Sequence, residues 1–479
     1  MRMTLILAVL FAASCSSKHK HPATDAEMTE AMKTNEAQAV VQNMLTGSET
    51  KDWKKFEKSF ASRTLFFRQE PLLLKPEEIS HLLRPSQKYF DATKATLSDF
   101  KLEEVQGRLL GTGKFSINFW KHRGLGSDVA TNDSKVAFEF TREGGELKIM
   151  RMQPIDSKTS GDKDLLKTAF AKGKTDLRYR VEIVNFSSKN GKMMRGWLYH
   201  PFQVVHDVVI MNGNVGNIKE QGPLAYARLL ASRGIATLIF DFVNFGESEG
   251  LVRNLEDPGQ KIDDFRGAVD FIANKHVFAA ARISLAGLGS SSEYIAAETA
   301  SDSRVDRLLM IAPFFHGRTV ESQQFEAGRK LSDARQANHQ FQQDGVLTYV
   351  PVVSFADNNA VITSNSASDL DYYLNPERGN IPQWQNQFAT MGWSPWINFD
   401  ATTSAPRIRV PTLVIHSPSG PYAEGVLDFI SHMRTRPEVH VLSASPYDFY
   451  DRPETMNQVV EIVEDFLNPT STDTEVTSL

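Results

Sequence analysis

A series of near-continuous apolar runs in the second half of the chain constrains its architecture more than any other feature. Val208-Val209-Ile210-Met211, Ala236-Thr237-Leu238-Ile239-Phe240, Ile283-Ser284-Leu285-Ala286, Leu308-Leu309-Met310-Ile311 and Thr412-Leu413-Val414-Ile415 lack the apolar–polar alternation of a strand with one wet face. Such runs belong to strands buried on both faces, as in parallel sheets. Helical spacing over 224–233, 261–274 and 293–300 separates the first of them. The pattern predicts an α/β domain with a doubly wound, mostly parallel sheet over 177–468. Val181-Glu182-Ile183-Val184 and Gly196-Trp197-Leu198-Tyr199 predict an antiparallel pair that opens it. Ligands of such sheets bind at the carboxyl ends of the strands, so chemistry is sought there.

The first half has a different order. Asp25 is placed to cap a helix carrying Met28, Met32, Ala39, Val40 and Val41, and a second amphipathic helix is expected to carry Trp53, Phe56 and Phe60. Period-two alternation follows in residues 115–120 and 135–140, and Gly144-Gly145 marks a hairpin turn before Leu147-Lys148-Ile149-Met150. Helices first and antiparallel strands afterwards predict an α+β domain over 25–154. Its Phe-x-Phe, Gly-Gly, Lys-Ile hairpin resembles the cone-shaped NTF2-like (SnoaL-like) domain. That resemblance implies a non-catalytic binding or dimerising module and hence a homodimer. Enzymes of that family use a pocket Asp or His, and none aligns here; His81 and Asp99 read as surface residues. A polar linker is expected over 155–176, with one short helix over 165–171.

The opening residues set an expectation for the compartment. Met1-Arg2 is a minimal basic region, 4–11 an apolar stretch, and Ala12-Ala13-Ser14 a small-residue cleavage site followed by Cys15, the one cysteine of 479 residues. This resembles a bacterial lipobox. It implies removal of 1–14, lipidation of Cys15, a tether over 15–24 and residence in the cell envelope, with Ser16 favouring the outer membrane and the protein facing the periplasm. Lys18-His19-Lys20-His21 reads as solvated tether, and 469–479 as a disordered tail. A net charge of −5 argues against a nucleic-acid surface.

Four ordered motifs occupy the expected strand ends. They are Met211-Asn212-Gly213-Asn214-Val215-Gly216, the segment from Phe240-Asp241 through Phe245-Gly246-Glu247-Ser248-Glu249-Gly250, Val410-Pro411 leading to His416, and Tyr447-Asp448-Phe449-Tyr450 through Glu454. Together they resemble the α/β-hydrolase superfamily, especially its dienelactone-hydrolase-like and serine-aminopeptidase-like members. The resemblance implies an oxyanion loop at Gly213 and Asn214, with Asn212 in place of the usual His. It puts the nucleophile of the strand-to-helix elbow on Gly289, the triad acid on Gly420 and the base on Pro446. None of these can act, because a triad needs a nucleophile, a base within hydrogen-bond reach and an orienting acid.

The expectation is therefore a lipid-anchored pseudohydrolase that binds a small acyl, ester-like or peptidic ligand or an envelope protein. One alternative is a hydrolase whose serine has moved to Ser290 or Ser291, with His316 or His416 as base; another is an envelope scaffold. Ser290 and Glu293 have capping-box spacing, which favours a structural role for Ser290. No cofactor and no metal site are expected. An insertion over about 316–407 stands where such proteins carry a lid. Its Trp384, Trp393 and Trp396 either roof a pocket, of which Ser290 is a further candidate residue, or pack the lid onto the core.

Overall fold

The computed structural model describes residues 25–67, 71–80, 92–105, 108–123, 126–155, 178–315, 324–364, 370–418 and 423–468. The expected signal segment with Cys15, the expected tether with His19 and His21, His81, the expected linker from 156 onward with the helix expected over 165–171, His316, Gly420 and the expected tail all lie outside the described residues. The chain divides into two compact units, 1–64 with 75–174 and 65–74 with 175–479.

The first unit begins with helices α1 (Asp25–Glu49) and α2 (Trp53–Glu57). Asp52 caps α2 by accepting from the Lys55 N–H at 3.1 Å. This helix is shorter than its apolar spacing predicts. Phe60 opens strand β1 (Phe60–Phe67) instead of lying on the helix, because Phe60 and Ala61 begin a buried run. After β2 (Pro71–Leu74), which falls in the second unit, come β3 (Ala92–Val105), β4 (Arg108–Arg123), β5 (Gly126–Glu143) and β6 (Glu146–Ile155). These four pair antiparallel in sequence order. Gly144 and Gly145 both take positive φ, +61° and +84°, as a two-residue hairpin turn requires. Phe115, Phe138 and Phe140 form an aromatic row in the core. Asp99 is exposed at an irregularity in β3.

The second unit is built on β7 (Tyr179–Ser187), β8 (Met193–Pro201), β9 (Asp207–Asn212), β10 (Ala236–Phe240), β11 (Arg282–Leu288), β12 (Val305–Ile311), β13 (Thr412–His416) and β14 (Glu438–Val441). Their spatial order is β14-β13-β12-β11-β9-β10-β8-β7-β2. The six strands from β9 onward run parallel, and β7 and β8 are the antiparallel entry. Helices α3 (Pro223–Ser232), α4 (Pro258–Ala273) and α5 (Ser291–Thr299) connect successive parallel strands. Proline in the first turn of α3 and α4 fits their starts, and Asp257 caps α4 through Gln260 N–H at 3.2 Å.

Every residue of β9 and β10 is buried. Each large apolar side chain buried there stabilises by about 1.5–3 kcal/mol. The chain order turns back across β9: β10 lies on one side of it and β11 on the other. The carboxyl ends of β9 and β11 at that reversal are where doubly wound sheets commonly hold their ligands. Helix α6 (Gln324–Asp344) and short pieces of strand and helix make up the insertion between β12 and β13, and α7 (Ala423–His432) and α8 (Pro453–Leu467) complete the unit.

Candidate functional site

The turn from β11 into α5 carries the candidate site. Gly289 sits at its apex with φ +67°, a conformation that costs an L side chain about 1–2 kcal/mol. The apex is fixed by main-chain bonds: Gly289 N–H donates to Ile311 O at 3.1 Å, and Gly289 O accepts from Phe314 N–H at 3.2 Å. Two residues earlier, strand and helix approach so closely that a Cβ on Gly287 would lie 2.5 Å from Ser292 N. The backbone thus turns sharply from strand to helix with a glycine at the apex, the shape that a nucleophile elbow takes.

The space above the apex is filled by the protein itself. A Cβ on Gly289 would lie 2.6 Å from the Tyr450 hydroxyl and 2.7 Å from Asn214 Oδ1. Asn214 Oδ1 accepts from the Ser290 N–H at 3.0 Å. In an elbow, the N–H after the nucleophile is the donor that would stabilise an oxyanion. Here a carboxamide of the chain already holds it. Asn214 Nδ2 donates onward to the Tyr373 hydroxyl at 3.2 Å, and that hydroxyl donates to Asn217 Oδ1 at 3.1 Å. Tyr372 closes the same wall, its hydroxyl accepting from Gly222 N–H at 3.0 Å. Burial raises the phenol pKa values of Tyr373 and Tyr450 above the ordinary range, so both are neutral.

The loop over 212–216 is held from several sides. Asn212 Nδ2 donates to Phe240 O and its Oδ1 accepts from Gly213 N–H, both at 2.9 Å, which staples the end of β9 to β10. Gly216 O accepts from Trp384 Nε1 at 2.9 Å. Gly216 N–H donates to Glu256 at 3.4 Å. Glu256 is fully buried and also takes Lys261 Nζ at 2.5 Å and the Tyr294 hydroxyl at 2.7 Å. Lys261 lies against Phe242 and Phe245, and burial pulls its ammonium below the usual lysine range although Glu256 opposes the shift. A second buried cation, Lys219, reaches Asp241 at 2.8 Å and Glu220 and Glu247 at 2.7 Å. Burial acts to lower its pKa, but these carboxylates outweigh burial and hold it above the ordinary lysine value. Asp241 also accepts from the N–H groups of Lys219 and Glu247 and so shapes the loop after β10.

The serines that could replace the nucleophile, Ser290 and Ser291, and their neighbour Ser292 are occupied or inaccessible. Ser291 Oγ donates to Gly213 O, and Ser292 Oγ donates to Gly287 O at 3.0 Å. Ser290 Oγ is wholly buried beside the Tyr294 phenol. Its expected capping box with Glu293 does not form: Ser290 has helical φ and ψ and its side chain caps no N–H, since the N-cap role needs extended backbone. His416 ends β13 half-buried, and no hydrogen bond joins its ring to Ser290 or Ser291 among the described residues. Pro446 lies in the loop after β14, directly before the one-turn helix Asp448–Asp451 that delivers Tyr450.

The three lid tryptophans separate. Trp384 lies over the site, 5.5 Å from the Tyr373 ring centroid. Trp393 and Trp396 pack on Phe388, Phe314 and each other, with Lys330 4.2 Å above Trp393. Tyr373, Tyr450 and Asn217 had no signal as site residues in the sequence; Asn214 did, as a polar residue in the oxyanion loop.

No protein-family model matches the chain. Among solved structures it is similar to hypothetical protein PA2218 from Pseudomonas aeruginosa, with TM-score 0.53 and 23% identity over 60% of this chain and 94% of that one. It is also similar to the α/β hydrolase GrgF from Penicillium sp. sh18, with TM-score 0.51 and 20% identity over 60% of this chain and 97% of the other.

The chain has an α/β-hydrolase fold.

Curated sequences agree in part of the chain. PA2218 is 38% identical over 93 residues, which is 19% of this chain and 25% of the relative. The quorum-quenching protein AidA of Acinetobacter baumannii is 27% identical over 135 residues, 28% of this chain and 44% of the relative. The thiohydrolase aneE of Aspergillus aculeatus is 28% identical over 190 residues, 36% of this chain and 55% of the relative. The chain thus spans between a quarter and just over half the length of these relatives.

Proposed function

We propose that this α/β-hydrolase-fold protein is non-hydrolytic: a lipid-anchored pseudohydrolase of the bacterial envelope that binds a small acyl, ester-like or peptidic ligand, or an envelope protein, over a degenerate triad. One observation carries the reading. The donor that would stabilise an oxyanion is bonded to Asn214, and the volume of the nucleophile is taken by Asn214 and Tyr450 over a side-chain-free Gly289. An acyl carbonyl could reach that donor only by displacing the protein's own carboxamide, and no hydroxyl would then be in line to attack it.

The lipobox-like segment ending at Cys15 supports anchoring, with the outer membrane as its site and the body facing the periplasm. The first unit is read as an NTF2-like module serving binding or dimerisation, on its helices-first order and antiparallel sheet. The relocated-serine reading is not favoured, since Ser291 is committed to Gly213 O.

The test is turnover of short acyl nitrophenyl esters and an acyl thioester by the purified protein. The expected rate equals that of a heat-denatured control. Turnover abolished by Ser290→Ala or Ser291→Ala in a variant that still melts cooperatively would sink the proposal.

A further inference from the structure

We infer that the site recognises a carboxamide, and does so in exchange for the side chain of Asn214. This deepens the non-hydrolytic reading above and rests on it. The group that fills the site reports the hydrogen-bond code of its walls. A backbone N–H can only donate, so the Ser290 N–H fixes Asn214 with its oxygen toward the elbow and its NH2 toward Tyr373. The Tyr373 hydroxyl has one proton, and it is committed to Asn217 Oδ1. What Tyr373 offers the site is therefore a lone pair. The two groups that hold Asn214 present one donor and one acceptor, spaced for O=C–N–H.

The complement of that pair is a carboxamide and not an ester or a carboxylate. An ester would satisfy the Ser290 N–H and leave the Tyr373 lone pair facing an oxygen that carries no hydrogen. A carboxylate would set a second negative oxygen against the same lone pair. Tyr373 could meet such an oxygen only by turning its proton away from Asn217 Oδ1, which would leave that buried oxygen without this donor. Asn217 Nδ2, fully buried and without an acceptor among the described residues, leaves a further donor unspent in the same wall. Buried polar sites reject analogues that leave one partner unpaired by more than apolar pockets reject a missing methylene. Access to the site needs the lid segment that bears Tyr373 and Trp384 to move together with Asn214, since these residues are buried.

The test vacates the site and asks what refills it. In the full-length protein, Asn214→Gly removes the internal carboxamide, and Asn214→Ala does so with a smaller change to the loop. Binding of acetamide, methyl acetate and acetate is followed by ligand-observed NMR and by thermal shift. Either variant that melts cooperatively is expected to bind acetamide roughly tenfold or more tightly than methyl acetate or acetate. Wild type should bind it more weakly, since its own side chain competes. Adding Tyr373→Phe, which deletes the acceptor, should abolish the preference for the amide over the ester. Should neither Asn214 variant fold, the same ratio is read on wild type at high probe concentration. Equal affinity for the three probes, no acetamide binding, or a preference that survives Tyr373→Phe would overturn the inference. Hydrolysis of methyl acetate in these samples would instead break the non-hydrolytic reading, a separate readout from the affinity ratio.

Discussion

Gly289→Ser places a hydroxyl at the apex of the strand-to-helix turn, and the structure indicates what it would cost. The new Cβ would arrive 2.6 Å from the Tyr450 hydroxyl and 2.7 Å from Asn214 Oδ1, closer than such contacts occur. Asn214 can swing away only by releasing the Ser290 N–H, a loss of roughly 1 kcal/mol. Tyr450 is buried among Tyr372, Tyr373 and Tyr447 and has little room to retreat. Overpacking of this kind costs about 1–3 kcal/mol. The φ of +67° adds about 1–2 kcal/mol for an L residue. The sum is a destabilisation of about 3–6 kcal/mol, which for a unit of this size lowers Tm by roughly 6–12 °C. The assay is urea denaturation with a thermal melt as a second reading. Gly289→Ser combined with Asn214→Gly should recover a sizeable part of the loss, because one clashing partner has gone. A Gly289→Ser protein that melts within about 1 °C of wild type would show that the space above the elbow is not filled, and the reasoning would fail.

Other perturbations test other parts of the account. Cys15→Ala should move the protein from the detergent-extractable membrane fraction into the soluble periplasmic fraction; unchanged partitioning would end the lipid-anchor proposal. Glu256→Gln should destabilise by about 3–5 kcal/mol in urea, because it leaves Lys261 buried beside a neutral partner, while adding Lys261→Met should recover part of that loss. Burial pushes the Glu298 carboxyl from its ordinary 4.5 up to about 7, although Arg266 opposes the shift. A raised carboxyl binds more protons folded than unfolded between those two values, so its contribution to stability is present below 4.5 and is lost as pH rises through about 7. Glu298→Gln should flatten that fall in a pH series of urea midpoints, and an unchanged slope would reject the assignment.

The fold was legible because its strongest signal is thermodynamic. Runs such as Val208–Met211 and Leu308–Ile311 can only be satisfied by burial on both faces, and the structure places them as parallel strands of one sheet with β11 between them. The turn glycines were legible for a related reason, since Gly144-Gly145 has few other uses between two alternating segments. Spacing misled where two periods coincide: Trp53, Phe56 and Phe60 fit a helix, yet Phe60 goes to the sheet because the buried run that follows it prevails over the helical continuation. The Ser290 capping box failed because spacing specifies the partners and says nothing of the N-cap dihedrals. The elbow could be located by its glycines, but the identity of its plug could not. Tyr373 arrives from the lid and Tyr450 from the turn after β14, at separations of 159 and 236 residues from Asn214, and no local pattern encodes a contact across such distances. Asn214 itself was visible as a polar residue in an oxyanion loop; that its carboxamide turns inward onto the Ser290 N–H is a property of packing.

The central claim is that nothing at this elbow is an activated nucleophile. The most direct measurement is intact-protein mass spectrometry after incubation of the folded protein with a fluorophosphonate, alongside a serine hydrolase labelled under the same conditions. The account predicts no phosphonyl adduct on this protein while the reference enzyme is fully labelled. A stoichiometric adduct mapping to Ser290 or Ser291, lost on prior unfolding, would contradict it.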